Sequence, residues 1–386
     1  MQSPVSATYS SVAEMLTERQ SVKPIYCIFP QVYQDTAREF VEAFPGRVLY
    51  AVKANDHPEV IHLLNRGGVR HFDCASVHEI DVVVRASEDA TCYFMIPARL
   101  RGEARKAQSE YGVRHFMVDH LSGIQSLADE IDMQSSVVFA RMAVHHSAAL
   151  QNLSSKFGAA PEKIPELLSA IADTGAELAL AFNVGSAVTS PDAYSHAIEV
   201  AARVLNDGKL RVRLVDIGGG FPKSYPGFAV PELNEYFDTI KLAAKDLPLA
   251  ENGEILVEPG RALAAPGMSA VVEVLLRKER RLYLNDGMYG IFWELRFNGH
   301  KRYAFRCYRN GREFTGPLRP FRLYGPTCDG TDVLPEEIEL PEEIRAGDCI
   351  EFGRIGAYSL SGRTNFNGHY SNEIVSITGA GEMPPS

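Results

Sequence analysis

The sequence predicts an α/β protein: a closed, TIM-like (β/α)8 barrel over residues 30–267, with a mostly β C-terminal domain of sandwich or barrel-like type at 268–386, completed by residues 1–29. Three observations predict it. From about residue 47 to 260, short apolar runs alternate with longer segments of helical period, the pattern of repeated β-α units around a parallel sheet. After Gly267 the texture changes to closely spaced strand-like runs separated by Gly, Pro and Asn turns. Polar and glycine signals collect at the ends of the apolar runs, where such a barrel carries its site.

Taken in order, the run Pro24-Ile25-Tyr26-Cys27-Ile28-Phe29 would lend the β domain its N-terminal strand. The eight barrel strands are expected near Val48–Val52, His71–Ala75, Cys92–Ile96, His115–Val118, Val137–Val144, Leu178–Val184, Val212–Ile217 and Ile255–Glu258. Helical segments follow most of them, among them Pro58–Leu64, Val77–Ala86, Leu121–Glu130, Pro161–Thr174, Pro191–Asn206 and Leu233–Leu247. Beyond the barrel, Ala270–Leu276, Arg302–Cys307 and Phe321–Tyr324 read as strands. No short-period repeat and no low-complexity segment interrupts this order.

A chain of 386 residues, 45% hydrophobic and 23% charged, holds enough material for one large core and a second, smaller one. Its 49 acidic and 39 basic residues give a net charge of −10 without long single-sign runs, which argues against nucleic acid or an anionic membrane as partner. Small molecules are the default ligands. The six cysteines are scattered with no C-x-x-C pair, so neither a metal site nor a disulfide framework is expected, and reduced thiols fit a cytoplasmic location. Residues 1–23 lack the apolar core of a signal peptide, and no stretch approaches the roughly 18 apolar residues of a membrane span.

The chemistry centres on Tyr50-Ala51-Val52-Lys53-Ala54-Asn55, which sets one lysine at the carboxyl end of a buried strand. A lone lysine is ordinarily a solvated surface cation. Here an apolar strand precedes it and an amphipathic helix follows, and partial burial would favour the neutral amine that Schiff-base chemistry needs. Asp73 ends the second strand, with Glu79 one helical turn on; Arg141 lies in the fifth, and Asn183 and Ser186 end the sixth. Gly218, Gly219 and Gly220 follow the seventh, and Glu258, Gly260 and Arg261 the eighth. A glycine run is often a structural turn, but after strands seven and eight of a barrel its N–H groups are placed for a phosphate. Glu258 would either pair with Arg261 or face a pyridine nitrogen and keep that ring protonated. Lysine, phosphate cradle and carboxylate together describe a pyridoxal 5'-phosphate site.

The runs Tyr50–Asn55, Phe72–Ser76, Lys156–Gly158, Asp216–Pro222, Glu258–Arg261, Asn285–Gly287, Gly325–Asp329 and Phe366–Gly368 resemble the barrel-type (fold type III) pyridoxal phosphate decarboxylases, the ornithine and diaminopimelate decarboxylase family. The resemblance spans residues 25 to 370 in consistent order. It implies that Lys53 holds the cofactor and that Glu258 pairs with the ring nitrogen. Ser186, Gly218 to Gly220, Arg261 and Tyr358 would hold the phosphate, and Asp73, Glu79 and Arg141 would surround Lys53 and the ring. It further implies a homodimer with shared sites: the loop Gly325–Gly330 would reach the neighbouring protomer, where Cys328 returns a proton after CO2 leaves and Asp329 binds the substrate's distal amine. Outside that context, Cys328 is a small hydrophobe and Tyr289, which matches another residue lining the site, a core tyrosine.

Two departures bear on the substrate. Where the family usually has a histidine stacked on the ring, this chain has Asn183, which neither stacks nor titrates as imidazole does. Where ornithine decarboxylases carry a second acidic residue for the distal amine, it has Asn298, with Arg296 close by as either a surface cation or a bidentate clamp for a substrate carboxylate. The expected activity is therefore decarboxylation of an ornithine- or lysine-like amino acid, as in polyamine biosynthesis, or of a specialised siderophore, diamine or carboxylate-bearing precursor. The readings of another class are a catalytically silent regulatory homologue, which retained Lys53, Glu258 and Cys328 speak against, and a racemase, which the Cys328-Asp329 loop speaks against.

Overall fold

The computed structural model describes residues 3–19, 23–145, 147–151, 155–297 and 302–379. The chain divides into two compact units, one of Ala37–Lys223 and Val230–Leu263, the other of Met1–Thr36, Ser224–Ala229 and Ala264–Ser386.

The first unit is a closed eight-stranded barrel. Its strands are β1 (Arg47–Ala51), β2 (His71–Cys74), β3 (Thr91–Phe94), β4 (His115–Val118), β5 (Val137–Met142), β6 (Glu177–Phe182), β7 (Val212–Asp216) and β8 (Leu249–Val257). Each pairs in parallel with its neighbour in sequence, and β8 closes on β1 through Leu256 opposite Arg47 and Val257 opposite Val48. Alternate residues face opposite sides of a strand. Leu49, Tyr93, Val137, Phe139, Ala179, Ala181, Leu214 and Leu256 accordingly share one core cluster, while Tyr50, Phe72, Phe94, Phe116, Val138 and Leu180 between them are just as buried. Strands apolar on both faces are what a helix-covered parallel barrel requires.

Local chemistry starts the helices where the pattern changes period. Ser76 caps Val77–Ala86 by accepting the Glu79 N–H at 3.2 Å, and His57 caps Pro58–Arg66, whose first residue is the proline that position favours. The expected helix over Pro161–Thr174 is a 3-10 turn, Pro161–Lys163, followed by Ile164–Ala172. A short antiparallel pair, Ala149–Gln151 with Ser186–Val188, lies outside the barrel and was not foreseen from the sequence.

The second unit carries a ten-stranded, mixed open sheet. The N-terminal strand Ile25–Ile28 lies between Met268–Lys278, antiparallel, and Glu373–Ile377, parallel. Helix Val12–Glu18, capped by Ser11, contributes Val12 and Met15 to a core with Ile25, Cys27, Phe29, Val271, Tyr308, Val375 and Ile377. Glu351 is fully buried here and accepts hydrogen bonds from Ser269 Oγ at 2.7 Å and Tyr308 OH at 3.0 Å. Among the described residues no helix is long and apolar enough to cross a membrane.

Candidate active site

After Ala51 the chain leaves β1 through a 3-10 turn, Val52–Ala54, that buries Val52 and Ala54 and leaves Lys53 between them outward. Lys53 Nζ lies 3.1 Å from Asp73 Oδ2 at the end of β2. The lysine side chain is 49% exposed, against 5% for Asp73. The side chain is thus about half-buried between the buried flanks of the turn, with its amine ion-paired to a buried carboxylate.

Three acids crowd the same end of the barrel. Asp216 closes β7, fully buried; its Oδ1 accepts the Gly218 N–H at 2.8 Å and its Oδ2 has no hydrogen-bond partner among the described residues. Glu258 follows β8, and burial, then the charges of Asp216 and Asp73, push its carboxyl well above the usual range against the pull of Lys53 and Arg141. Burial likewise raises Asp216 to about 6, opposed by the Gly218 N–H. Two carboxyls in one dry site resist ionising together unless a nearby positive charge compensates, so both stand above their ordinary values. Glu79, whose Oε2 accepts the Ala75 N–H at 2.6 Å, is raised to about 7 by burial and then by Asp73.

The three glycines are demanded by packing. A Cβ at Gly219 would lie 2.4 Å from the Glu258 carbonyl oxygen, one at Gly218 2.6 Å from that of Phe182, and one at Gly220 2.7 Å from that of Gly185. The loops after β6, β7 and β8 therefore meet backbone to backbone. Val188 N–H bonds the Gly220 carbonyl at 3.0 Å, and Tyr194 OH bonds that of Gly219 at 2.9 Å. Gly260 and Arg261 are buried, and Arg261 opens a short helix to Ala264. Arg141, on β5, lies 5.5 Å from the Phe157 ring centroid. Asn183 closes its own turn, its Oδ1 accepting the Gly185 N–H at 2.9 Å, and Ser186 opens the short strand that follows.

The remaining predicted residues lie in the β unit. Tyr289 OH hydrogen-bonds Asp329 Oδ2, which also accepts the Thr331 hydroxyl at 2.6 Å. The Thr331 hydroxyl, then Tyr289, hold the Asp329 carboxyl down at about 2. The Arg296 guanidinium sits 4.3 Å from the Tyr289 ring centroid, its Nε donating to the Met288 carbonyl at 3.0 Å. Phe366 stacks on Tyr289 at 4.5 Å, and Asn367 Oδ1 accepts the N–H of exposed Cys328 at 3.1 Å. Tyr358 adopts a left-handed φ of 59°. Asn298 falls outside the described residues.

Thus Lys53, Asp73, Arg141, Asn183, Ser186, Gly218 to Gly220, Glu258, Gly260 and Arg261 belong to the barrel unit, whereas Tyr289, Arg296, Cys328, Asp329 and Tyr358 belong to the other. Sequence reasoning missed Asp216 and Thr331 as side chains with a part here. Asp216 stood in plain view before the glycines, and Thr331 only two residues beyond Asp329.

The barrel set fits pyridoxal phosphate. An accessible amine suits its aldehyde, and a protonated ring nitrogen beside Glu258 would relieve a site with more buried carboxylates than cations and an acceptor oxygen on Asp216 that lacks a donor. A lysine/ornithine decarboxylase of Selenomonas ruminantium is 33% identical over 333 residues, 84% of this chain and 81% of that one. Antizyme inhibitor 2 of Xenopus laevis is 29% identical over 87% of this chain and 76% of its own length. The crystal structure of a lysine/ornithine decarboxylase from Vibrio vulnificus, complexed with putrescine, superposes with a TM-score of 0.81 at 27% identity, covering 96% of this chain and 99% of that one. The pyridoxal-binding domain model of the pyridoxal-dependent decarboxylases matches residues 31–265, the length of the barrel, and the chain belongs to that family.

Proposed function

We propose that this chain is a carboxy-lyase for an amino acid with a distal amine, of the ornithine or lysine class, releasing CO2 and a diamine. The observation that carries the reading is Asp329. Its hydrogen bonds from Thr331 and Tyr289 keep it ionised at any physiological pH, a fixed anion for a distal ammonium.

Bound pyridoxal phosphate supplies an electron sink for the charge left on the substrate carbon when CO2 departs. Lys53 would hold the cofactor through Nζ, with Asp73 placing that amine. Glu258 would hold a proton at the ring nitrogen. Gly218 to Gly220, Ser186, Gly260, Arg261 and Tyr358 would take the phosphate, with Arg141 and Asn183 beside the ring. Cys328 Sγ, in the loop that carries Asp329, would return a proton to the substrate carbon of the partner protomer. A homodimer with shared sites, a cytoplasmic location and a place in polyamine formation belong to the same reading.

Asp329→Asn should lower kcat/KM for ornithine and lysine by about 10- to 100-fold, the worth of a charge-assisted bond. An unchanged kcat/KM for both would remove Asp329 from substrate recognition.

Arg296 supports a second reading, since its guanidinium lies beside Tyr289 and draws on the Asp329 charge. A cation and an anion side by side suit a distal group carrying both an amine and a carboxylate. Under that reading Arg296→Ala abolishes turnover of diaminopimelate and spares ornithine. A silent regulatory role, which the likeness to an antizyme inhibitor keeps in view, predicts no visible cofactor band lost on borohydride reduction.

A further inference from the structure

We propose that Asp216 and Glu258 form a carboxyl pair that stores one proton in the cofactor-free protein and passes it to the cofactor's ring nitrogen on loading. The inference rests on the reading that pyridoxal phosphate sits with its ring nitrogen at Glu258.

The geometry requires a proton. Asp216 is sealed from solvent at the end of β7, and one of its oxygens is satisfied by the Gly218 N–H. The other oxygen has no donor among the described residues, and Glu258 is the side-chain hydrogen-bonding neighbour of this carboxyl. Two ionised carboxyls cannot satisfy one another, because each is acceptor-only. A single proton between them turns the contact into a hydrogen bond and supplies the missing donor.

The charges around the pair agree. Asp216, Glu258 and Asp73 act on one another here against Lys53 at the end of β1 and Arg141 on β5, and Glu79, which faces Asp73 and Lys53, is a fourth acid at the same end, so carboxyls outnumber the cations that act on the pair. Tyr93 on β3 also feels Asp216, and its hydroxyl is already engaged by Arg47 at 2.7 Å. The Glu258 N–H already donates to the Gly218 carbonyl at 2.9 Å. A stored proton reduces the excess.

In the transfer, a carboxyl O–H bond of the pair breaks and a ring N–H bond forms. The pair is left fully ionised, and the positive charge of the ring replaces the proton it gave up. No proton crosses the dry end of the barrel from solvent. Asp216 is then a positioning residue: it keeps Glu258 supplied with a proton at neutral pH without touching the reacting atoms.

The test is infrared spectroscopy of the cofactor-free full chain near pH 7.5, loaded either with pyridoxal phosphate or with its 1-deaza analogue, whose ring has C–H in place of nitrogen. The proposal predicts that a protonated-carboxyl band disappears with pyridoxal phosphate, survives with the analogue, and is moved or absent in Asp216→Asn. The same variant should bind pyridoxal phosphate about tenfold more weakly and the analogue as well as the parent does. Uptake of pyridoxal phosphate with no carboxyl band lost, equal loss with the analogue, or equal weakening of both ligands overturns the proposal and leaves the functional reading standing. A chain that forms no borohydride-trappable cofactor band overturns both.

Discussion

Lys53 shows how a residue can be legible while its environment is not. Its place at the end of β1 followed from a short apolar run and a loop. Its half-exposed, ion-paired state followed from the 3-10 turn, which no periodicity announces. Asp216 is the converse: residue and motif were visible, but an oxygen without a donor is a property of packing. The Tyr289–Asp329 bond joins residues 40 apart, beyond any local pattern. At this scale Glu79 gives a clean prediction. Its carboxyl is raised from 4.5 to about 7, so the folded state is penalised as pH rises above the unfolded value, fully so above pH 7. Glu79→Gln should raise the melting temperature at pH 8 and leave it unchanged at pH 4, as scanning fluorimetry would report; an equal shift at both would show that ionisation is not the cause. Asp329 runs the other way. A carboxyl held at about 2 stays ionised until pH falls towards that value, so acid loss of kcat/KM between pH 5 and 7 must come from other groups and should persist in Asp329→Asn.

Among the elements, the barrel strands were readable because each is an unbroken apolar run between polar helices. The apolar run places β8 at Ile255–Glu258, but the strand extends back to Leu249 through the polar Glu251-Asn252-Gly253, with Asn252 at a φ of 57° and a register shift opposite β7 between Val212 and Leu214. The glycine loop was read for the ligand it could approach, and the structure adds the carbonyl oxygens that exclude any side chain there. Gly219→Ala should therefore cost about 1–3 kcal/mol of stability in urea denaturation, as overpacking does. Gly316→Ala, with no atom within 4 Å of its Cβ, serves as the control and should cost nothing measurable. Equal midpoints for the two variants would mean that the loops after β6, β7 and β8 are not in contact as described.

For the molecule as a whole, the sequence announces a barrel and a β domain completed by an N-terminal strand, but not that Ile25–Ile28 lies directly beside Glu373–Ile377, since strand neighbours across more than 340 residues leave no local trace. The barrel also sets the acid limit of stability. His71 and His115, first residues of β2 and β4, are depressed to about 4 and about 3 by burial and then by Arg47 or its neighbours. Both stay neutral in the fold while the unfolded chain takes up protons below about 6.5. Stability should fall as pH drops through 6 towards 4, and the slope should flatten in a His71→Gln/His115→Gln double variant; an unchanged slope would assign acid sensitivity elsewhere. Decarboxylation is tested most directly by CO2 release from the cofactor-loaded chain with a panel of L- and D-ornithine, lysine, arginine and diaminopimelate, with Lys53→Ala alongside. Release from at least one member, lost in Lys53→Ala, is the predicted result; silence across the panel with cofactor bound at Lys53, or release undiminished in the variant, would contradict it.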